Sequence, residues 1–223
     1  MASTASDYFG SMVREYDSLI RRAVACYDEM LRRLVEYLPE QAGSVLELGC
    51  GTGNYTLALA ERYPQAELVL VDGSREMLDL THERLGHPLR VRKIEQRFEE
   101  LDLRPEWFEV VTSCIAVHHV EDKLRLFRRL RRILRPGGAI VICDQMSGVT
   151  EDTSRIHWDR MVDFWRQPGN CTPKERQSLA DHAHKHDHYE SVPAHLNLLN
   201  EAGFHDVDCV WRDTMWAIVT ASG

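Results

Sequence analysis

The chain has 223 residues, enough for one well-cored α/β domain and too few for two ordinary domains with linkers. Its formal charge of −8 works against electrostatic capture of a phosphate backbone and makes a small-molecule partner the default, with nucleic acid disfavoured. No stretch approaches the roughly 18 consecutive apolar residues of a membrane span, and the opening MASTASDYFG lacks the basic-then-apolar layout of a secretory leader, so a soluble cytoplasmic chain is expected. The six cysteines, Cys26, Cys50, Cys114, Cys143, Cys171 and Cys209, are scattered without a CxxC pair and read as reduced thiols.

In chain order, apolar residues from Tyr8 to Leu38 recur at helical spacing and predict an amphipathic helical preface. Strand-like runs follow at Val45–Leu48, Leu68–Val71, Leu89–Ile94, Val110–Ile115 and Ala139–Cys143, with helical stretches near Tyr55–Tyr63, Arg75–Leu85 and Asp122–Leu134. That alternation predicts a parallel sheet covered by helices. Pro136-Gly137-Gly138 stops the preceding helix and launches the next strand. Beyond Asp144 the rhythm changes to a long helical segment, Ser147–Ala202, that reads as an inserted lid before late strands at Val207–Trp211 and Met215–Ala221.

The sharpest signal is Val45-Leu46-Glu47-Leu48-Gly49-Cys50-Gly51-Thr52-Gly53-Asn54, a buried strand running into a glycine loop and then a helix. Glycines there permit a tight turn and let backbone N–H groups approach a ligand. Leu68-Val69-Leu70-Val71-Asp72 ends a second strand in a carboxylate about 20 residues beyond Gly53, where a ribose diol needs an acceptor. A nicotinamide loop reads GxGxxG with the pyrophosphate on the helix terminus; here the spacing is GxGxG, which points to a nucleoside without a pyrophosphate.

ELGCGTGN, VDGSREML, HHVED, LRRILRPGG and EAGF, in this order, resemble the class I S-adenosylmethionine-dependent methyltransferases, and the resemblance covers essentially the whole chain. It implies a Rossmann-like seven-stranded sheet with helices on both faces and an antiparallel last strand. It also divides one domain into an N-terminal helical cover (1–40), a cofactor-binding core (41–146), a helical lid with the acceptor region (147–202) and the final strands (203–223). By resemblance, Gly49, Cys50, Gly51 and Gly53 surround the methionine part of S-adenosyl-L-methionine, Glu47 supports the loop, and Asp72 accepts from the ribose. Gly73, Ser74 and Met77 border the adenine, while Ser113, Cys114 and Ile115 lie beside the sulfonium. Many relatives place an Asp near the base where this chain has Glu95-Gln96-Arg97-Phe98; Arg97 cannot accept from the adenine amino group, although the Phe98 amide can serve the ring.

Methyl transfer asks little of the protein beyond positioning and desolvation, because S-adenosyl-L-homocysteine leaves as a neutral thioether. A hydroxyl or amine acceptor also needs a base, for which His118 and Asp144 are candidates by position; packing or capping is the other reading of His118 and His119. Tyr16, Trp165 and Tyr189 are candidates for the wall of a small, partly apolar acceptor pocket. Cys50, Cys114 and Cys143 near strand ends read as small buried residues more readily than as a metalloid site. The arginines of 125–135 read as a solvated face. His182/His186 and His184/His188 make two i,i+4 pairs on different helix faces; with Asp181, Asp187, His157 and His195 they can build a metal shell, but the alternating spacing suits a polar lid better, and no metal is expected. Carboxy-S-adenosylmethionine synthases share the layout and stand as the rival reading, with RNA methyltransferases behind them.

Overall fold

A computed structural model describes residues 15–86 and 90–223. Its centre is a seven-stranded sheet in the order β3-β2-β1-β4-β5-β7-β6, built from β1 (Ser44–Leu48), β2 (Glu67–Asp72), β3 (Arg90–Glu95), β4 (Phe108–Cys114), β5 (Leu134–Gln145), β6 (His205–Asp213) and β7 (Trp216–Ser222). Strands β1 to β5 run parallel, and β7 is antiparallel to both of its neighbours. Every residue of β1 is buried, as befits a central strand covered on both faces.

Strand alternation divides the core in two. Leu46, Leu48, Val69, Val71 and Ile142 face Leu126, Phe127, Leu130 and Ile133 of α5 (Lys123–Ile133) and Leu199 of α8 (Val192–Glu201). On the other face, Val45, Leu68, Leu70 and Val141 meet Met30 and Leu34 of α2 (Tyr27–Glu36), Tyr55 and Leu59 of α3 (Asn54–Arg62) and Leu78 of α4 (Arg75–Leu85). The arginines of α5 bond to their own chain: Arg132 pairs with Asp102 at 3.0 Å, Arg128 with Glu201 at 3.1 Å, and Arg131 donates to the Gly203 carbonyl at 3.0 Å. Arg135, just beyond the helix, pairs with Glu109 at 2.6 Å, so much of this basic stretch is engaged by its own chain.

The structure corrects three expectations. Among the described residues the preface is two helices, α1 (Tyr16–Ala23) and α2, broken by extended Val24; residues 8–14 of the expected helix, and Leu89 of the third expected strand, lie outside the described residues. Each helix buries its own stripe, so the apolar repeat runs through the break without registering it. Pro136-Gly137-Gly138 does not precede β5 but lies within it, because Leu134 already pairs with Phe108 and the turn bulges out of β5 before Ala139 pairs with Val110. Finally, α7 (Pro173–His186) ends before extended Asp187, so His184 and His188 are not a helical pair.

The segment after β5 leaves and returns at one place, since Ser147 bridges Ser191 and its amide donates to the Glu190 carbonyl at 3.0 Å. Between these points lie α6 (Glu151–Arg166) and α7, whereas α8 beyond them packs on the sheet. α6 and α7 form a small core of their own with α1, from Leu19, Ala23, Trp165 and Cys171. Trp165 Nε1 donates to the Ala23 carbonyl at 2.8 Å, and Arg22 grips Glu175 at 2.7 and 3.2 Å, a bond that holds the Glu175 carboxyl down at about 2.

Candidate active site

The glycines of the loop after β1 all take positive φ, +74° at Gly49, +51° at Gly51 and +89° at Gly53, but for different steric reasons. A Cβ on Gly49 would collide with Ala116, and one on Gly53 would press on Thr81 at 3.0 Å, whereas one on Gly51 would meet no protein atom within 4 Å. Gly51 opens onto a crevice of about 480 Å³. Asp72 at the end of β2 closes the loop: its carboxylate accepts from the amides of Gly51 and Ser74, both at 2.9 Å. Burial pushes the Asp72 carboxyl up, and those backbone donors oppose the shift.

Of the expected residues, Gly49, Cys50, Gly51, Asp72, Gly73, Met77, Arg97, Phe98, Ile115 and Tyr16 line the crevice. Glu47, Gly53, Ser74 and Ser113 stand behind it. Ser113 ties β4 to β1 by donating to the Leu48 carbonyl at 2.8 Å, and Ser74 caps α4 by accepting from the Met77 amide at 3.3 Å. Glu47 is buried beneath the loop, which pushes its carboxyl up to about 8. Arg97 is exposed and paired with Glu99 at 3.1 Å. Ile115 holds φ +56°, a costly conformation for a β-branched residue, at the crevice wall.

Sequence reasoning missed the latch over the loop. Asp17 of α1 accepts from Thr52 Oγ1, from Asn54 Nδ2 at 2.9 Å and from Arg84 at 2.8 Å, while Tyr27 accepts from Asn54 at 3.2 Å. These residues come from four segments with no local spacing to betray them.

A second chamber of about 80 Å³ adjoins the crevice and shares Tyr16, Ile115 and His119 with it. Trp165, Met161, Leu19 and Trp216 give it apolar walls, and His118, Asp187 and Tyr189 a polar one. Asp144, at the end of β5, accepts from the His118 amide at 2.9 Å and engages its Nδ1 at 2.5 Å. Asp187 lies 3.0 Å from His119 Nδ1 and 3.7 Å from both His118 Nε2 and His182 Nε2, and it accepts from the Tyr189 hydroxyl. Burial pulls the His118 imidazole down, but Asp144 and Asp187 outweigh it and leave the ring raised. Burial also pushes His182 down to about 4. Asp187 is held well below the usual carboxylate range, chiefly by the charge on His118 against its own burial.

The methyltransferase domain family matches residues 45–138, from β1 into β5. A demethylmenaquinone methyltransferase of Deinococcus radiodurans is 32% identical over 70% of this chain and 67% of its own. The ubiquinone/menaquinone biosynthesis C-methyltransferase UbiE of Vibrio parahaemolyticus is 25% identical over 73% of this chain, which spans 64% of that protein's length. A carboxy-S-adenosyl-L-methionine synthase of Chromohalobacter salexigens is 29% identical over 92% of this chain and 82% of its own. In fold, an S-adenosylmethionine-dependent methyltransferase from Mesorhizobium loti superposes with a TM-score of 0.65 at 21% identity, covering 90% of this chain and 98% of that one. The chain therefore belongs to the class I S-adenosylmethionine-dependent methyltransferases, with S-adenosyl-L-methionine as the cofactor.

Proposed function

We propose that this enzyme, in the cytoplasm, transfers the cofactor's methyl group to a small, partly apolar acceptor held in the second chamber. The observation that carries this reading is the junction at Tyr16, Ile115 and His119, which joins a largely apolar chamber to the glycine-loop crevice. Gly49, Cys50, Gly51, Asp72 and Met77 hold the cofactor in this reading, and the acceptor attacks its methyl in line. A hydroxyl, amine or thiol must shed a proton, and the polar wall it meets is the His118, His119 and Asp187 cluster backed by Asp144. The six free thiols fit a reducing compartment.

Release of S-adenosyl-L-homocysteine should rise with small hydroxyl, amine or thiol acceptors and not with tRNA or peptides. Turnover on RNA alone, or recovery of a carboxylated cofactor by mass spectrometry, would overturn the reading. The latch gives a second expectation. Asp17→Ala releases α1 from the loop, and because the aspartate is partly exposed the loss is about 1 kcal/mol, or roughly fivefold faster cofactor dissociation in stopped-flow measurements. An unchanged dissociation rate would show that the latch has no part in retention.

The cover of α1, α6 and α7 has its own small core, so we also expect it to open as a unit. Hydrogen exchange over 16–23 and 148–190 should be fast alone and slow with S-adenosyl-L-homocysteine. Protection equal to that of β1 without ligand would contradict an opening cover.

A further inference from the structure

We propose that His118, His119 and Asp187 form a binding site for a divalent first-row transition-metal ion, zinc being the closest fit, with Asp144 orienting His118. The three donor atoms all lie within 4.8 Å of one another, and Asp187 Oδ1 stands 3.0 Å from His119 Nδ1 and 3.7 Å from His118 Nε2. Ligands about 2.0–2.2 Å from a tetrahedral ion are separated by roughly 3.4 Å, so small side-chain adjustments suffice.

The orientation of the His118 ring argues in the same direction. Asp144 Oδ1 stands 2.5 Å from His118 Nδ1, which leaves Nε2 facing Asp187 Oδ1. A cation seated between His118 Nε2 and Asp187 Oδ1, which face each other across 3.7 Å, is held by both. A carboxylate behind the far nitrogen of a ligating histidine is the usual support of such sites. The spacing argument against a metal concerned pairs within the lid, whereas the fold assembles a different set, two histidines from the loop after β4 and one aspartate from the lid. His182 Nε2, also 3.7 Å from Asp187 Oδ1, flanks the set.

Two imidazoles and a carboxylate leave a fourth position, as in catalytic rather than structural zinc sites, and the cluster borders the second chamber. Resting on the function proposed above, an acceptor oxygen or sulfur bound there loses its proton to solvent as the ion lowers its pKa. It then attacks the methyl carbon: the new carbon–heteroatom bond forms as the carbon–sulfur bond breaks, the sulfur keeps the bonding pair, and no oxidant is needed. Because Asp187 comes from the cover, the ion also clips cover to sheet.

Tag-free enzyme, stripped with chelator and given cobalt(II) without cofactor or acceptor, tests binding apart from catalysis. We expect one equivalent bound, with the intense visible bands of a four-coordinate site. Affinity should fall at least tenfold in Asp187→Asn and His119→Ala and in the positioning variant Asp144→Asn, and stay unchanged in His184→Ala, which lies on an exposed lid position. X-ray absorption of the zinc-loaded wild type should show two imidazoles and oxygen donors, independent of whether any variant folds. Failure to take up stoichiometric metal, or uptake lost with His184→Ala and kept in Asp187→Asn, would overturn the site. Methyl transfer that persists undiminished in the metal-free enzyme would remove the ion from catalysis and leave the proposed function standing.

Discussion

Valine at Gly51 abolishes S-adenosyl-L-methionine binding while leaving the sheet folded, and Asp72→Ala weakens binding more than tenfold. The first expectation rests on empty space. A Cβ at Gly51 meets no protein atom within 4 Å, yet the residue lines the crevice, so the added side chain occupies room that only a ligand uses. The positive φ of +51° adds backbone strain, but nothing collides to unfold β1. Asp72 acts through charge. Each carboxylate oxygen already accepts one amide, from Gly51 or Ser74, and retains a lone pair for a ribose hydroxyl. Alanine removes a charge-assisted bond worth on the order of 1.5–3 kcal/mol and frees the loop amides as well. Gly49→Ala is the contrast: its side chain strikes Ala116, so the loss appears in thermal stability before it appears in affinity. Calorimetry decides the matter, and unchanged affinity in Asp72→Ala, or tight binding by Gly51→Val, would refute the cofactor assignment.

The same residues show what a sequence makes legible. β1, the glycine loop, α3 and Asp72 are contiguous or follow one crossover, so period, turn chemistry and spacing all describe them locally. Four expected cofactor residues, Glu47, Gly53, Ser74 and Ser113, nevertheless shape the crevice from behind it, because a motif records which residues serve a site and not which atoms reach it. The polar wall of the second chamber was less legible still. Asp187 reaches His118 and His119 only because α7 stops at His186 and the chain turns back to the sheet, where the His188 amide donates to the His118 carbonyl at 2.8 Å. Helical periodicity carries no trace of such a return. The break at Val24 was hidden for a related reason, since two helices with separate partners kept one apolar phase.

Glu47→Gln is expected to stabilise the protein above neutral pH and to leave it unchanged near pH 5. Glu47 is 1% exposed on β1, with neighbouring Asp72 adding repulsion to the cost of burial, and its carboxyl is pushed up to about 8 from 4.5. The folded state thus binds the proton more tightly than the unfolded chain. Between pH 4.5 and about 8 the native protein carries a proton that the unfolded chain has lost, so stability falls as pH rises through that window and levels off above it. A shift of this size is worth on the order of 4 kcal/mol. Glutamine keeps the shape and a donor but has nothing to ionise. The difference in Tm between variant and wild type should therefore grow from near zero at pH 5 to roughly 10 °C at pH 8.5, taking about 2–4 °C per kcal/mol for a chain of this length. Subtracting one protein from the other cancels the histidines and remaining carboxylates, which both share. Parallel Tm curves across the range would mean that Glu47 is ionised in the folded protein, and that a donor beneath the glycine loop reaches its carboxylate. Cofactor affinity near pH 5 should be the same in the two proteins, because Glu47 stands behind the crevice and bears no charge there in either the wild type or the variant.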